Sequence, residues 1–189
     1  MSWISEQVKN PDQSLKDYAD KITLGKDYDE TCLNVLRQVI KDLRYTPDQT
    51  AWGMSEYWQT GKETLSKLTG DCEDGATLIY LLCRYKGVPA NHLLLLCGDV
   101  EGGGHCFLGY KPETYPLNFV FLDWCYWQTN NNIEDRSKFY INHNKIKEYN
   151  NLGSLINSKY YDIWFAFNEE TSIKDYFFDL TKIKNYSME

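Results

Sequence analysis

Apolar positions recur with a helical period through the first third of the chain. Asn10-Pro11-Asp12-Gln13 reads as a helix start, with Asn10 as the cap and Pro11 at the first helical position. Leu15, Tyr18, Ala19 and Ile22 then fall on one face, and Gly25 marks the stop. Asp27, with Glu30 three residues on, predicts a capped start for a second helix. That helix carries Cys32, Leu36, Val39, Ile40 and Leu43 in a stripe and must end before Pro47, whose ring disfavours helical backbone in the residue preceding it. Residues 45–71 have no clean period, yet Trp52, Tyr57 and Trp58 make a loose linker a poor description. From Cys72 to about residue 85 the chain is apolar nearly all round. Ala76, Ile79, Tyr80 and Cys83 form one stripe, and Leu78, Leu81 and Leu82 cover the other sides. Such a helix belongs in the middle of a domain, and Gly87 and Pro89 end it.

After Pro89 the pattern shortens to strand-like runs. Residues 91–97 are an apolar run closed by Gly98. Gly102-Gly103-Gly104 reads as a turn, residues 105–110 as a strand, 111–116 as a loop and 118–123 as another strand. Asn130-Asn131-Asn132 marks a break, and the aromatic residues 161–167 suit a further strand. Helices first and strands afterwards predict an α+β fold with an antiparallel sheet. With no repeat and no composition shift, the expectation is one domain over residues 1–189. It comprises N-terminal helices at about 10–44, a core at about 52–127, and a C-terminal extension with a strand at about 160–168.

Composition narrows the class of function. The 189 residues are 42% hydrophobic, enough for a core, and 20 Lys+Arg against 27 Asp+Glu give a net charge of −7. That balance excludes nucleic acid and anionic membrane as expected partners. No run approaches the roughly 20 apolar residues of a membrane span. The first residues resemble no secretion signal, so the expected location is cytoplasmic, or the virion if the chain is phage-encoded. Six cysteines are too few for a disulfide scaffold, and none stands in C-x-x-C spacing.

Gly70-Asp71-Cys72-Glu73-Asp74-Gly75 holds the strongest chemical signal. It sets a thiol at the start of a buried helix, where unpaired N–H groups and the helix dipole favour a thiolate. A nucleophilic thiol needs a base, and His105 enters a strand directly after the glycine turn. If 110 pairs with 118 in a hairpin, 105 pairs with 123, and Asp123 lies across from His105 on the same face. A carboxylate there fixes the tautomer of the imidazole. Cys72, His105 and Asp123 are therefore the candidate nucleophile, base and orienting acid. Cys32, Cys83, Cys97, Cys106 and Cys125 sit in apolar or aromatic runs and read as core. His92 and His143 read as a strand end and a solvated position.

These residues, with Glu56-Tyr57-Trp58-Gln59-Thr60 and Glu63 upstream and Gly87-Val88-Pro89 after the helix, resemble the transglutaminase-like superfamily, closest to its bacterial and phage cysteine-peptidase branch. The resemblance spans residues 52–127, and Gly61 stands where that branch commonly has proline. It implies a papain-like α+β core and acyl transfer through a thioester: hydrolysis of a protein or peptide amide, or amine transfer or deamidation at glutamine by the same triad. A third reading is a non-catalytic structural or binding module. The Cys72 N–H would serve the oxyanion, with Gln59 or Trp58 as second donor, while Trp124 and Trp127 are candidates for the substrate groove. Thiol chemistry requires no cofactor. The carboxylates crowding Cys72 either cap the helix or, as in some peptidases of that branch, take calcium at Asp71 and Glu73. Oligomeric state has no signal in the sequence.

Overall fold

The computed structural model describes residues 2–100, 103–113, 120–125, 160–170 and 172–174. Three helices come first: α1 (Ser2–Lys9), α2 (Gln13–Lys21) and α3 (Tyr28–Asp42). The cap of α2 is Asp12, two residues beyond the expected Asn10, and its carboxylate accepts from the Ser14 N–H at 2.9 Å. Asn10 instead follows α1, whose apolar period is too short to stand out in the sequence. Asp27 caps α3 as expected, accepting from the Glu30 N–H at 2.8 Å.

The stretch without a clear period contains β1 (Arg44–Tyr45), α4 (Asp48–Ala51), α5 (Gly61–Lys67) and β2 (Thr69–Gly70). Thr60 and Glu63 form a reciprocal capping box at the start of α5. The Gly61 N–H donates to Gln7 Oε1 at 2.8 Å, and a Cβ on Gly61 would meet Leu81 Cδ1 at 2.5 Å. Proline, expected there from the resemblance, would lose that bond and collide with the central helix. β1 and β2 pair in parallel, Tyr45 beside Gly70.

Helix α6 (Cys72–Tyr85) matches its predicted bounds and lies at the centre, packed against α1, α2, α3, α5 and the sheet. Among the described residues the sheet has five strands in the order β5-β4-β3-β6-β7: β5 (Val120–Leu122), β4 (Gly103–Tyr110), β3 (Leu93–Val100), β6 (Tyr160–Phe167) and β7 (Ser172–Lys174), each pair of neighbours antiparallel. Leu93, Leu95, Cys97, Cys106, Leu108 and Leu122 join the apolar cluster of α6. Leu94, Leu96 and Phe107 are buried as well. Burial on both faces is why residues 93–97 read as a continuous apolar run without alternation.

Two expectations are corrected here. β4 begins at Gly103, so Gly103 and Gly104 belong to the strand and not to a turn. The β4–β5 register pairs Tyr110 with Val120 and Leu108 with Leu122, two residues away from the expected alignment. The strand of the expected C-terminal extension is β6, hydrogen-bonded between β3 and β7 and so part of the sheet itself. No helix among the described residues is long and apolar enough to cross a membrane.

Candidate active site

Cys72 is the first residue of α6, directly after the short β2 strand and the extended cap Asp71. A buried carboxylate organises this junction. Asp74 accepts from the Gln59 N–H at 2.8 Å and from the Asp71 N–H at 3.2 Å, and it also takes the Gln59 side-chain amide. Trp124 anchors the first helical turn from the other side. Its indole N–H donates to the Cys72 carbonyl at 3.3 Å and its ring lies against Gly75, where a Cβ would come within 2.0 Å of Nε1. The glycine at 75 is what lets the tryptophan close on the helix start.

The backbone N–H of Cys106 is directed at the Cys72 sulfur, which brings the helix start to β4 beside His105. His105 Nε2 and Asp123 Oδ2 are 2.7 Å apart, with the His105 and Asp123 side chains 5% and 0% exposed. The register shift of two keeps both residues on one face, since side chains alternate with period two. His105 therefore reaches Asp123 diagonally instead of straight across. With Nε2 committed to the carboxylate, Nδ1 is the ring atom through which His105 would exchange a proton.

The electrostatics run against a bare thiolate. Burial first, then the Glu73 charge, pushes the Cys72 thiol well above its ordinary range, while the Cys106 N–H pulls it down. The thiol lies 3.1 Å from Glu73 Oε2. Burial and the neighbouring Asp71 carboxyl push Glu73 up to about 9, and burial pushes Asp74 up to about 6. Asp71 is raised too, again mainly by burial. Asp48, absent from the sequence reading, joins these three: one oxygen from each of Asp48, Asp71, Glu73 and Asp74 lies within 4.8 Å of the others. Asp48 Oδ1, Gln59 Oε1, Asp71 Oδ1 and Glu73 Oε1 are buried with no hydrogen-bond partner. Four orphaned oxygens, three of them from carboxylates in the cluster, make an all-oxygen donor set of the kind a hard cation takes.

The Gln59 amide nitrogen bonds Asp74 and the Thr69 carbonyl, so its donors organise the acidic cluster. The Trp58 indole N–H donates to Glu56 at 2.8 Å, and its ring packs on Trp3 and Phe167. Both candidate oxyanion donors are thus bonded elsewhere. Trp124 is 1% exposed, a buttress under the helix start and not a groove wall. Trp127 lies outside the described residues, as does His143. Tyr45, unmarked in the sequence reading, is the aromatic rim of this region: it is 50% exposed and 6.0 Å from Trp124 between ring centroids. A two-residue strand leaves no periodic signal by which to find it. Of the thiols read as core, Cys125 is the exception, half-buried next to His105 and Asp123.

Solved structures of LapG from Legionella pneumophila share this fold. One LapG chain superposes with a TM-score of 0.57 at 17% identity, covering 97% of this chain and 95% of that one. Calcium-bound LapG gives 0.56 at 18% identity, covering 93% and 86%, and EGTA-treated LapG gives 0.55 at 17%, covering 92% and 84%. No family model matches the chain, and no curated protein matches its sequence. The likeness is one of fold, an α+β core of transglutaminase-like, papain-like type.

Proposed function

We propose that this chain is a cysteine-nucleophile amide hydrolase that cleaves a protein or peptide substrate, with Cys72, His105 and Asp123 as its triad. The observation that carries the reading is the buried 2.7 Å contact between His105 and Asp123 beside a thiol at a helix start. The fold shared with LapG, a transglutaminase-like, papain-like α+β core, is compatible with that reading.

The reaction follows from these groups. His105 Nδ1 takes the Cys72 thiol proton, and Asp123 holds the imidazolium through Nε2–H. The thiolate adds to the amide carbonyl. The Cys72 N–H, first in its helix and without an intrahelical acceptor, faces the developing oxyanion. Collapse breaks the C–N bond as His105 returns the proton to the leaving amine. Water, deprotonated by His105, then cleaves the thioester and restores the thiol.

Asp48, Asp71, Glu73 and Asp74 would hold a calcium ion, which their all-oxygen donors and orphaned atoms fit. Calcium bound there supplies the positive charge that lets these carboxylates ionise together. LapG has been solved both calcium-bound and EGTA-treated, which supports the same reading for this chain.

A cleavage screen over candidate proteins, with Cys72→Ala as control, tests the proposal. Cleavage lost in Cys72→Ala supports it, and no cleavage of any substrate by a protein whose Cys72 fails to react would overturn it. Adding a labelled primary amine separates the related chemistry: incorporation into glutamine would replace hydrolysis with amine transfer, whereas ammonia release without incorporation would indicate deamidation.

A further inference from the structure

Two groups of potential metal ligands flank Cys72, and their chemistry differs. The acidic cluster offers oxygen alone. On the other side, His105, Asp123 and Cys125 present a nitrogen, an oxygen and a sulfur within 4.8 Å of one another. We propose that this second group is a zinc site through which Zn2+ silences the triad. The inhibitory consequence rests on the function proposed above, while the site itself rests on the ligand geometry.

The local fold brings the sulfur into place. Asp123 Oδ1 accepts the Cys125 N–H at 3.1 Å, a tight turn that carries Cys125 back toward the sheet. Cys125 is half-buried, in contrast to the buried Cys32, Cys83, Cys97 and Cys106.

Zinc takes imidazole, carboxylate and thiolate at about 2.0–2.3 Å in a tetrahedron, which spaces the ligand atoms about 3.3–3.8 Å apart. The 2.7 Å contact between Nε2 and Oδ2 opens by roughly 1 Å or less to admit the ion, within the reach of small side-chain rotations. A water completes the four ligands. Protons balance: Cys125 releases its thiol proton to solvent, and the imidazole proton moves from Nε2 to Nδ1 as Nε2 binds the metal. Nδ1 then carries a hydrogen and has no lone pair with which to accept the Cys72 proton. Calcium, which prefers six to eight oxygens, does not compete for a three-donor site containing sulfur.

The test uses the full chain carrying Cys72→Ala, saturated with calcium, so that the nucleophile supplies no ligand. Titration with Co2+ as a spectroscopic substitute for Zn2+ is expected to give a thiolate-to-cobalt charge-transfer band at one equivalent, unchanged by excess calcium. Adding Cys125→Ser or Cys125→Ala removes the band and weakens zinc binding by about tenfold or more. In the protein with Cys72 intact, Cys125→Ser raises the zinc concentration needed for inhibition by a similar factor. Absence of the band in Cys72→Ala, or its survival without Cys125, overturns the site. If the band appears as described but no amide substrate is ever cleaved, the zinc site stands and the hydrolase reading falls.

Discussion

As the proposed nucleophile, Cys72 would owe its reactivity to its neighbours and not to its own tendency to ionise. Burial and Glu73 both hold its proton on, so the proposed mechanism requires His105 to remove it. His105→Ala is expected to lower kcat/KM by about 10²- to 10⁴-fold and to abolish the rate advantage of Cys72 in alkylation by iodoacetamide at neutral pH. Peptide mapping of the labelled thiols reads this directly, with buried Cys32 and Cys83 as internal references. Glu73 joins the two halves of the site, since one of its oxygens faces the sulfur while the other is orphaned among the acidic residues. Chelation with EGTA should therefore slow the same alkylation, and restored calcium should recover it. A rate indifferent to calcium would separate the acidic cluster from the nucleophile. The sequence pointed to Cys72 because a thiol at a helix start is unusual. It pointed to Asp71 and Glu73 by adjacency. Asp48 and Tyr45 stayed hidden because each reaches the site only through the fold.

Among the elements, the start of α6 bears the tightest constraint. Gly75 leaves the space that Trp124 fills, and Trp124 in turn holds the Cys72 carbonyl. Gly75→Ala is expected to destabilise the protein by about 1–3 kcal/mol through overpacking. It should also cut activity by more than the folded fraction accounts for, because the displaced indole releases the nucleophile's turn. Denaturant unfolding followed by tryptophan fluorescence, together with activity per folded molecule, measures both. α6 itself was legible to the residue, since its apolar run and flanking glycines are local signals. The hairpin was legible in parity only. The period-two alternation placed His105 and Asp123 on one face, but the register depends on how β5 docks beside β4. That docking shifted the alignment by two and left the shared face intact.

For the molecule as a whole, the buried carboxylates tie stability to pH and to cation. Asp74 and Glu73 have folded-state values of about 6 and about 9 against ordinary values of 3.8 and 4.5. Both are raised, so the protonated forms favour the folded state. Their stabilising effect is fully present below the ordinary values and is lost as pH rises through about 6 and then about 9. Protein freed of metal should accordingly melt at progressively lower temperature from mildly acidic to alkaline pH. Calcium should flatten that decline, because a bound cation favours the ionised carboxylates. Thermal melts across that range with calcium or with EGTA decide it, and coincident curves would remove calcium from the acidic cluster.

The α+β order, the central helix with its leading thiol, and the common face of His105 and Asp123 follow from the sequence alone. Each is written in local periodicity or in the chemistry of adjacent residues. Only the tertiary structure decided the rest: β6 inserted between β3 and β7, Gln59 turned to Asp74, Asp48 gathered with Asp71 and Glu73, and Cys125 set beside His105. Those contacts join segments whose sequence separation carries no pattern. They arise from packing around α6, where burial leaves a polar group few partners and the fold determines which ones it meets.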